Sequence, residues 1–300
     1  MISKMSFLFS ILITPCLAET IWYPLPAEAF SFGKKYPVAQ SMLFAFDYGH
    51  ALVYERLILN KGTISDPEVF ERQLMHDILK ILKNPPSIKV DEADIAPSYV
   101  FTFPLIVSLF DWSHLLHQFV LDNMVSNNDI RVDNVFTKYA SNKAIQLPSE
   151  CKSMLFMDGH YFSKSFRKTF PSFNLLIWSY HWFQGALYEA LTKPREVERD
   201  AEINKAISDF WQLISNLPDS ADFDMMPSMI DVAPTFYKKF PKIAASFDNN
   251  HMLHDVVSDL ITSTQVPSHK MKSEGIHFGR IAIDPDSFKA VKCPYQYGEK

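Results

Sequence analysis

Glycine is scarce in this chain, with 8 residues in 300. Sheet proteins with many tight turns need more of it, because glycine adopts the left-handed backbone of hairpin turns without penalty. The shortage argues for helices. Beyond the N-terminus there is no run of 18 apolar residues, so no stable membrane span is expected. No basic stripe is present either: 29 Lys and Arg are interspersed with 34 Asp and Glu, giving a net charge of −5. That pattern argues against nucleic acid as a partner. Lys164, Arg167 and Lys168 read as a small solvated cluster. Also missing are H-E-x-x-H, G-x-S-x-G, a P-loop and C-x-x-C-H, and with them the commonest zinc-protease, serine-hydrolase, nucleotide and haem-attachment signatures.

Cysteine is nearly absent too, with Cys16, Cys151 and Cys293 the whole set. Residues 1–18 read as a secretory signal: Lys4 supplies the positive charge, residues 5–13 the apolar stretch, and Cys16-Leu17-Ala18 a small-residue cleavage site. The mature protein is therefore expected to be exported, to a periplasm or outside the cell, after cleavage near Ala18. Cleavage leaves Cys151 and Cys293, an even pair in an oxidising compartment, for which a disulfide is expected.

What the chain does have is hydrophobic residues (47%), 25 Phe, and an internal repeat. Residues 110–122 read F-D-W-S-H-L-L-H-Q-F-V-L-D, and residues 247–259 read F-D-N-N-H-M-L-H-D-V-V-S-D. Four aromatic-Pro pairs precede such stretches: Tyr36-Pro37, Phe103-Pro104, Phe170-Pro171 and Phe240-Pro241, with the prolines 67, 67 and 70 residues apart. Ten residues after each proline stand Asp47, His114, His181 and His251. Thirteen after stand His50, His117, Gln184 and His254. Eighteen after stand Glu55, Asp122, Glu189 and Asp259. The second and fourth copies also share Asp111 and Asp248 and an upstream D-I-A-P or D-V-A-P; the first and third share Tyr-Glu-x-Leu. Self-similarity of this kind is the mark of tandem duplication.

Proline at the first helical turn is tolerated because its missing N–H would be unpaired there anyway. Each copy therefore predicts a long helix with these polar offsets on one broad face. Amphipathic segments at 66–80 and 197–211 predict connecting helices. The expected fold is all-α: duplicated helical-hairpin units forming a four-main-helix bundle or a small helical toroid. Its halves are 19–147 and 148–300, and the proline- and glycine-containing tail from Ser263 is expected to be extended.

Buried charges must be paired or bound to metal, and helical bundles build di-metal sites from inward Glu, Asp and His. The candidate ligands are thus Asp47, His50, Glu55, Asp111, His114, His117, Asp122, His181, Glu189, Asp248, His251, His254 and Asp259. His-x-x-x-x-Asp/Glu spacing is similar to that on one helix of the hemerythrins at their di-iron site, a likeness confined to that helix. A di-metal centre is expected, iron first, zinc or copper next and haem last. The function expected is oxygen-related redox chemistry, with a zinc hydrolase or a metal-free helical-repeat binding protein as alternatives.

Overall fold

The computed structural model describes residues 25–126, 129–149, 160–215 and 226–284. Among the described residues the fold is all-α apart from one two-residue strand pair. In chain order the elements are β1 (Leu25–Pro26), α1 (Ser31–Lys35), α2 (Pro37–Leu59), α3 (Pro67–Lys83), β2 (Ile88–Lys89), α4 (Glu92–Ile95), α5 (Pro97–Thr102) and α6 (Pro104–Val125). There follow α7 (Asp129–Ser141), α8 (Ser165–Thr169), α9 (Pro171–Leu191), α10 (Glu196–Ser215), α11 (Met229–Val232), α12 (Pro234–Lys239), α13 (Pro241–Thr262) and α14 (Ser268–Ile283).

The four long helices α2, α6, α9 and α13 begin at the four repeated prolines and run for 23, 22, 21 and 22 residues. Each follows a short helix (α1, α5, α8, α12) that ends at the aromatic residue before the proline. That residue cannot be helical beside a proline ring. Tyr36, Phe103, Phe170 and Phe240 accordingly share one conformation, φ −126, −122, −133 and −129° with ψ 62, 51, 68 and 61°. Ala96 and Ala233, in the D-I-A-P and D-V-A-P segments, break the chain in the same way before Pro97 and Pro234.

The long helices are largely apolar around their circumference and lie in the core, as such helices must. Helix α2 packs on α9 and α13, and α6 packs on the same two. The more polar α3, α7, α10 and α14 lie against them, burying single stripes such as Ile203, Ala206, Phe210 and Ile214 of α10.

Two expectations are corrected. The tail from Ser263 is not extended where it is described: residues 268–283 form α14, which packs on α6 and α13, and residues 285–300 lie outside the described residues. Gly275 and Gly279, one helical turn apart, are close-approach notches and not breaks. A Cβ at Gly275 would fall 2.4 Å from Phe103 Cδ1, and one at Gly279 would fall 2.9 Å from Leu105 Cδ2. The Cys151–Cys293 bridge is likewise withdrawn. No disulfide occurs among the described residues, and both cysteines lie outside them.

Candidate metal centre

The helices bring six imidazoles into one buried group. His50 projects from α2, His114 and His117 from α6, His181 from α9, and His251 and His254 from α13. Ring centroids of His50, His181 and His254 stand 5.2, 4.8 and 4.7 Å apart. His251 lies 4.4 Å from His181, and His114 lies 6.2 Å from His254. One donor atom from each of His50, His181 and His254 fits within 4.8 Å of the others.

Helix geometry sets the tautomers. His50 Nδ1–H donates to the Phe46 carbonyl and His181 Nδ1–H to the Ile177 carbonyl, each four residues back and each at 2.8 Å. His251 Nδ1–H donates to the Pro227 carbonyl at 3.3 Å. With Nδ1 carrying the proton, Nε2 presents a bare lone pair. The Nε2 atoms of His50, His251 and His254 are buried with no hydrogen-bond partner. A backbone carbonyl fixing one imidazole nitrogen so that the other can ligate is the usual arrangement behind metal-bound histidine. Burial lowers the pKa of all six; His251 falls to about 3 and His114 to about 4, and neighbouring histidines depress several further. At neutral pH they are neutral, the form that binds metal. An unpartnered buried lone pair costs about 1–3 kcal/mol, so one ion accepting several at once relieves a real strain. The donors therefore fit a metal.

A second cluster lies next to the first and is chemically different. Asp47 of α2, Glu92 of α4 and His114 of α6 also place donors within 4.8 Å. Lys89, held in place by the pairing of Leu25 with Lys89 between β1 and β2, puts Nζ 2.9 Å from Asp47 Oδ2, and His114 Nδ1 is 3.6 Å from Asp47 Oδ1. Burial pushes the Asp47 carboxyl up, but Lys89 and His114 more than offset this and leave it below the usual range. Asp111 hydrogen-bonds Glu92, and burial together with Glu92 raises it to about 8. The two carboxyls thus hold a proton between them. A cavity of about 60 Å³ is lined by Asp47, Lys89, Asp111, His114, His117 and Gln184. A smaller one of about 20 Å³ shares its Asp47, Asp111 and His114 wall and reaches His50 and His254.

The remaining expected ligands are engaged elsewhere. Glu55 accepts from Tyr99 N at 2.8 Å, at the start of α5, and Asp122 from Phe32 N at 2.9 Å, at the start of α1. Glu189 accepts from Thr235 N and Phe236 N of α12 at 2.9 and 3.2 Å. Asp259 accepts from Lys164 N and Phe166 N around the start of α8, both at 2.8 Å. Asp248 accepts from Met229 N of α11 at 2.8 Å. Helix N-termini leave their first N–H groups unpaired, and a carboxylate satisfies them. The carboxylate eighteen residues after each proline is thus the cap of another copy's short helix, and the copies cap one another in pairs. None of these five carboxylates joins either cluster of metal-donor groups.

Residues that the repeat did not single out complete the site. Lys89 and Glu92 lie just ahead of the D-I-A-P segment. Tyr54 and Tyr188, visible only as the shared Tyr-Glu, contact imidazoles: Tyr54 Oη is 3.5 Å from His254 Nδ1 and 2.9 Å from Ser258 Oγ, and Tyr188 Oη bonds His117 Nδ1.

The chain matches no protein-family model, and no curated protein or solved structure matches it.

Proposed function

We propose that this is a metal-dependent enzyme whose ion is held by His50, His181 and His254 and whose small-molecule substrate enters by the cavity at Asp47 and His114. The observation that carries this reading is the set of three buried, neutral imidazoles whose donors fit within 4.8 Å. Imidazole suits zinc, copper and iron better than magnesium or calcium, which prefer oxygen. Three protein ligands leave a coordination position for water or substrate, the condition for catalysis at a metal. An ion on neutral ligands keeps its full charge. Asp47, His114 and the Glu92–Asp111 pair are placed to accept or return protons beside the ion. Repetition of the cap contacts supports duplication into halves 19–147 and 148–300 around four main helices. Export remains part of the proposal through residues 1–18.

The di-iron form of this reading requires a second ion on Asp47, Glu92 and His114, because the carboxylates first expected to bridge are occupied as helix caps. The proximity of those three donors favours it, but Lys89 already provides a cation there.

Metal analysis of the purified protein, with a Co²⁺ titration followed by absorption, tests the proposal. About one equivalent in the wild type, and none in His50→Gln/His181→Gln with unchanged helical circular dichroism, is the expected result. A wild type with no stoichiometric metal, or a double variant that retains it, overturns the reading. Iron or copper bound natively gives visible bands, and zinc gives none.

A further inference from the structure

The two clusters are related position by position. Residues 134 apart correspond in α2 and α9, and residues 137 apart correspond in α6 and α13. Under this relation His181, His251, His254 and His50 become Asp47, His114, His117 and Gln184. The contacts follow the same exchange. Phe110 stacks on His254 with centroids 3.9 Å apart and planes at 9°; its equivalent Phe247 stacks on His117 at 3.6 Å and 11°. Tyr54 meets His254 Nδ1, and its equivalent Tyr188 meets His117 Nδ1. His181 sits against His251, and its equivalent Asp47 sits against His114. The open cavity is therefore the counterpart of the histidine group His50, His181, His251 and His254, with two of the four residues changed.

Donors are still present there. His117 is 5% exposed, its Nε2 has no partner, and it lines the cavity. His114 Nδ1 is also buried without a hydrogen bond. Two charged groups have no charged counterpart: Glu92 corresponds to the buried Met229, and the Lys89 ammonium is not matched either. Lys89 lies 2.9 Å from Asp47, whereas the residue 137 positions later is Met226, buried and uncharged. A carboxylate removed from water requires a cation, and in this half the chain supplies its own.

We infer that Asp47, Glu92 and His114, at the wall of the cavity, form a second divalent-cation site held closed by Lys89, whose ammonium takes the ion's place on Asp47. The wild-type centre consequently carries one metal, and the cavity is left for substrate. This rests on the tri-imidazole reading for the identity of the first ion. Removing the ammonium leaves Asp47 uncompensated beside the His114 imidazole and Glu92, a donor set suited to zinc or cobalt.

The test is Lys89→Met, which installs the residue found at the corresponding place in the other half. Co²⁺ binding is counted by absorption titration and elemental analysis in wild type, Lys89→Met and Lys89→Met/Asp47→Asn. The inference expects one additional equivalent in Lys89→Met and its loss in the double variant. A folded Lys89→Met with the wild-type count overturns it, as does a wild type that binds both ions with Lys89 in place. Absence of metal from the wild type would defeat the tri-imidazole reading alone, because a gain from none to one in Lys89→Met still upholds the closed second site. Should Lys89→Met not fold, Lys89→Gln keeps a hydrogen-bond donor for Asp47 without its charge, and the same gain or lack of gain decides.

Discussion

The His50/His181/His254 cluster and the Asp47/His114/Lys89 cluster occupy corresponding places on one scaffold but use burial in opposite ways. The first is all imidazole and neutral, with one donor from each ring within 4.8 Å of the others. The second mixes carboxylate, ammonium and imidazole beside a cavity, with about 15% of the Asp47 and His114 side chains exposed. Changing His181 to Asp47 and His50 to Gln184 across the repeat is enough to turn a neutral donor set into a charged one. A charged set must then be compensated, and Lys89 is the compensation. Ion binding and proton handling are thereby divided between halves of common design.

The sharpest way to break the comparison is to remove a donor from each side. His181→Leu keeps the volume filled and deletes one imidazole; metal affinity is expected to fall by at least about 100-fold, since even residues that only support ligands cost 10–100-fold. Asp47→Asn in the other half should leave the affinity within a few-fold of wild type. Equal losses, measured by competition with a chelator, would mean that both clusters share one ion.

Next in size is a contrast between equivalent helix caps. Glu55 is 7% exposed and its bond to Tyr99 N is buried, whereas Glu189 meets Thr235 N at an exposed position. Glu55→Ala leaves a buried N–H without an acceptor and should cost about 2–3 kcal/mol. Glu189→Ala, where water can substitute, should cost about 0.5–1 kcal/mol. Chemical denaturation of the two variants measures the difference. Should Glu55→Ala instead retain full stability and lose metal, Glu55 would return to the list of ligands.

In the metal-free protein each buried histidine should contribute a loss of stability as pH falls below about 6.5. His251 illustrates the sign. Its folded pKa is about 3, and the ordinary value is 6.5. Between those limits the unfolded chain binds a proton that the folded chain does not, so stability declines as the solution is acidified. Buried carboxyls act oppositely: Asp248, raised to about 7 by burial, favours the fold at low pH and loses that contribution as pH rises through 7. His251→Gln should reduce the slope of unfolding free energy against pH between pH 4 and 6 by about one proton, roughly 1.4 kcal/mol per pH unit. Asp248→Asn should steepen it. A pH profile unchanged by either variant would show that these groups are not held in the stated forms.

Much of this architecture was legible in the sequence because proline punctuation and buried histidine leave marks that repeat. The four aromatic-Pro breaks gave the starts of α2, α6, α9 and α13, and the offsets ten and thirteen led to the imidazoles. Carboxylates were harder to read. On a buried helical face, Glu55 or Asp259 looks the same whether it meets an ion or the N–H groups of a neighbouring helix, and those partners carry no sequence signature. Lys89 lies outside the repeated offsets, so the residue that distinguishes the two clusters was invisible to a search for similarity. Gly275 and Gly279 read as breaks because their packing against Phe103 and Leu105 is a tertiary fact.

The smallest expected effect separates the two tyrosines. Tyr54 Oη stands 3.5 Å from His254 Nδ1 and 2.9 Å from Ser258 Oγ, so the imidazole N–H can donate to the phenol while the phenol donates to the serine. That chain leaves His254 Nε2 as the bare lone pair, which is buried without a hydrogen-bond partner. Tyr188 does the same for His117, which contributes no donor to the tri-imidazole set. Tyr54→Phe should therefore weaken metal binding about tenfold, the low end for a residue that orients a ligand, given the length of its contact with His254. Tyr188→Phe should leave affinity unchanged and cost only the bond, about 0.5–1.5 kcal/mol of stability. Co²⁺ titrations and denaturation curves on both variants measure the two quantities independently. A larger affinity loss in Tyr188→Phe than in Tyr54→Phe would move the ion toward His117 and reverse the assignment of the two halves.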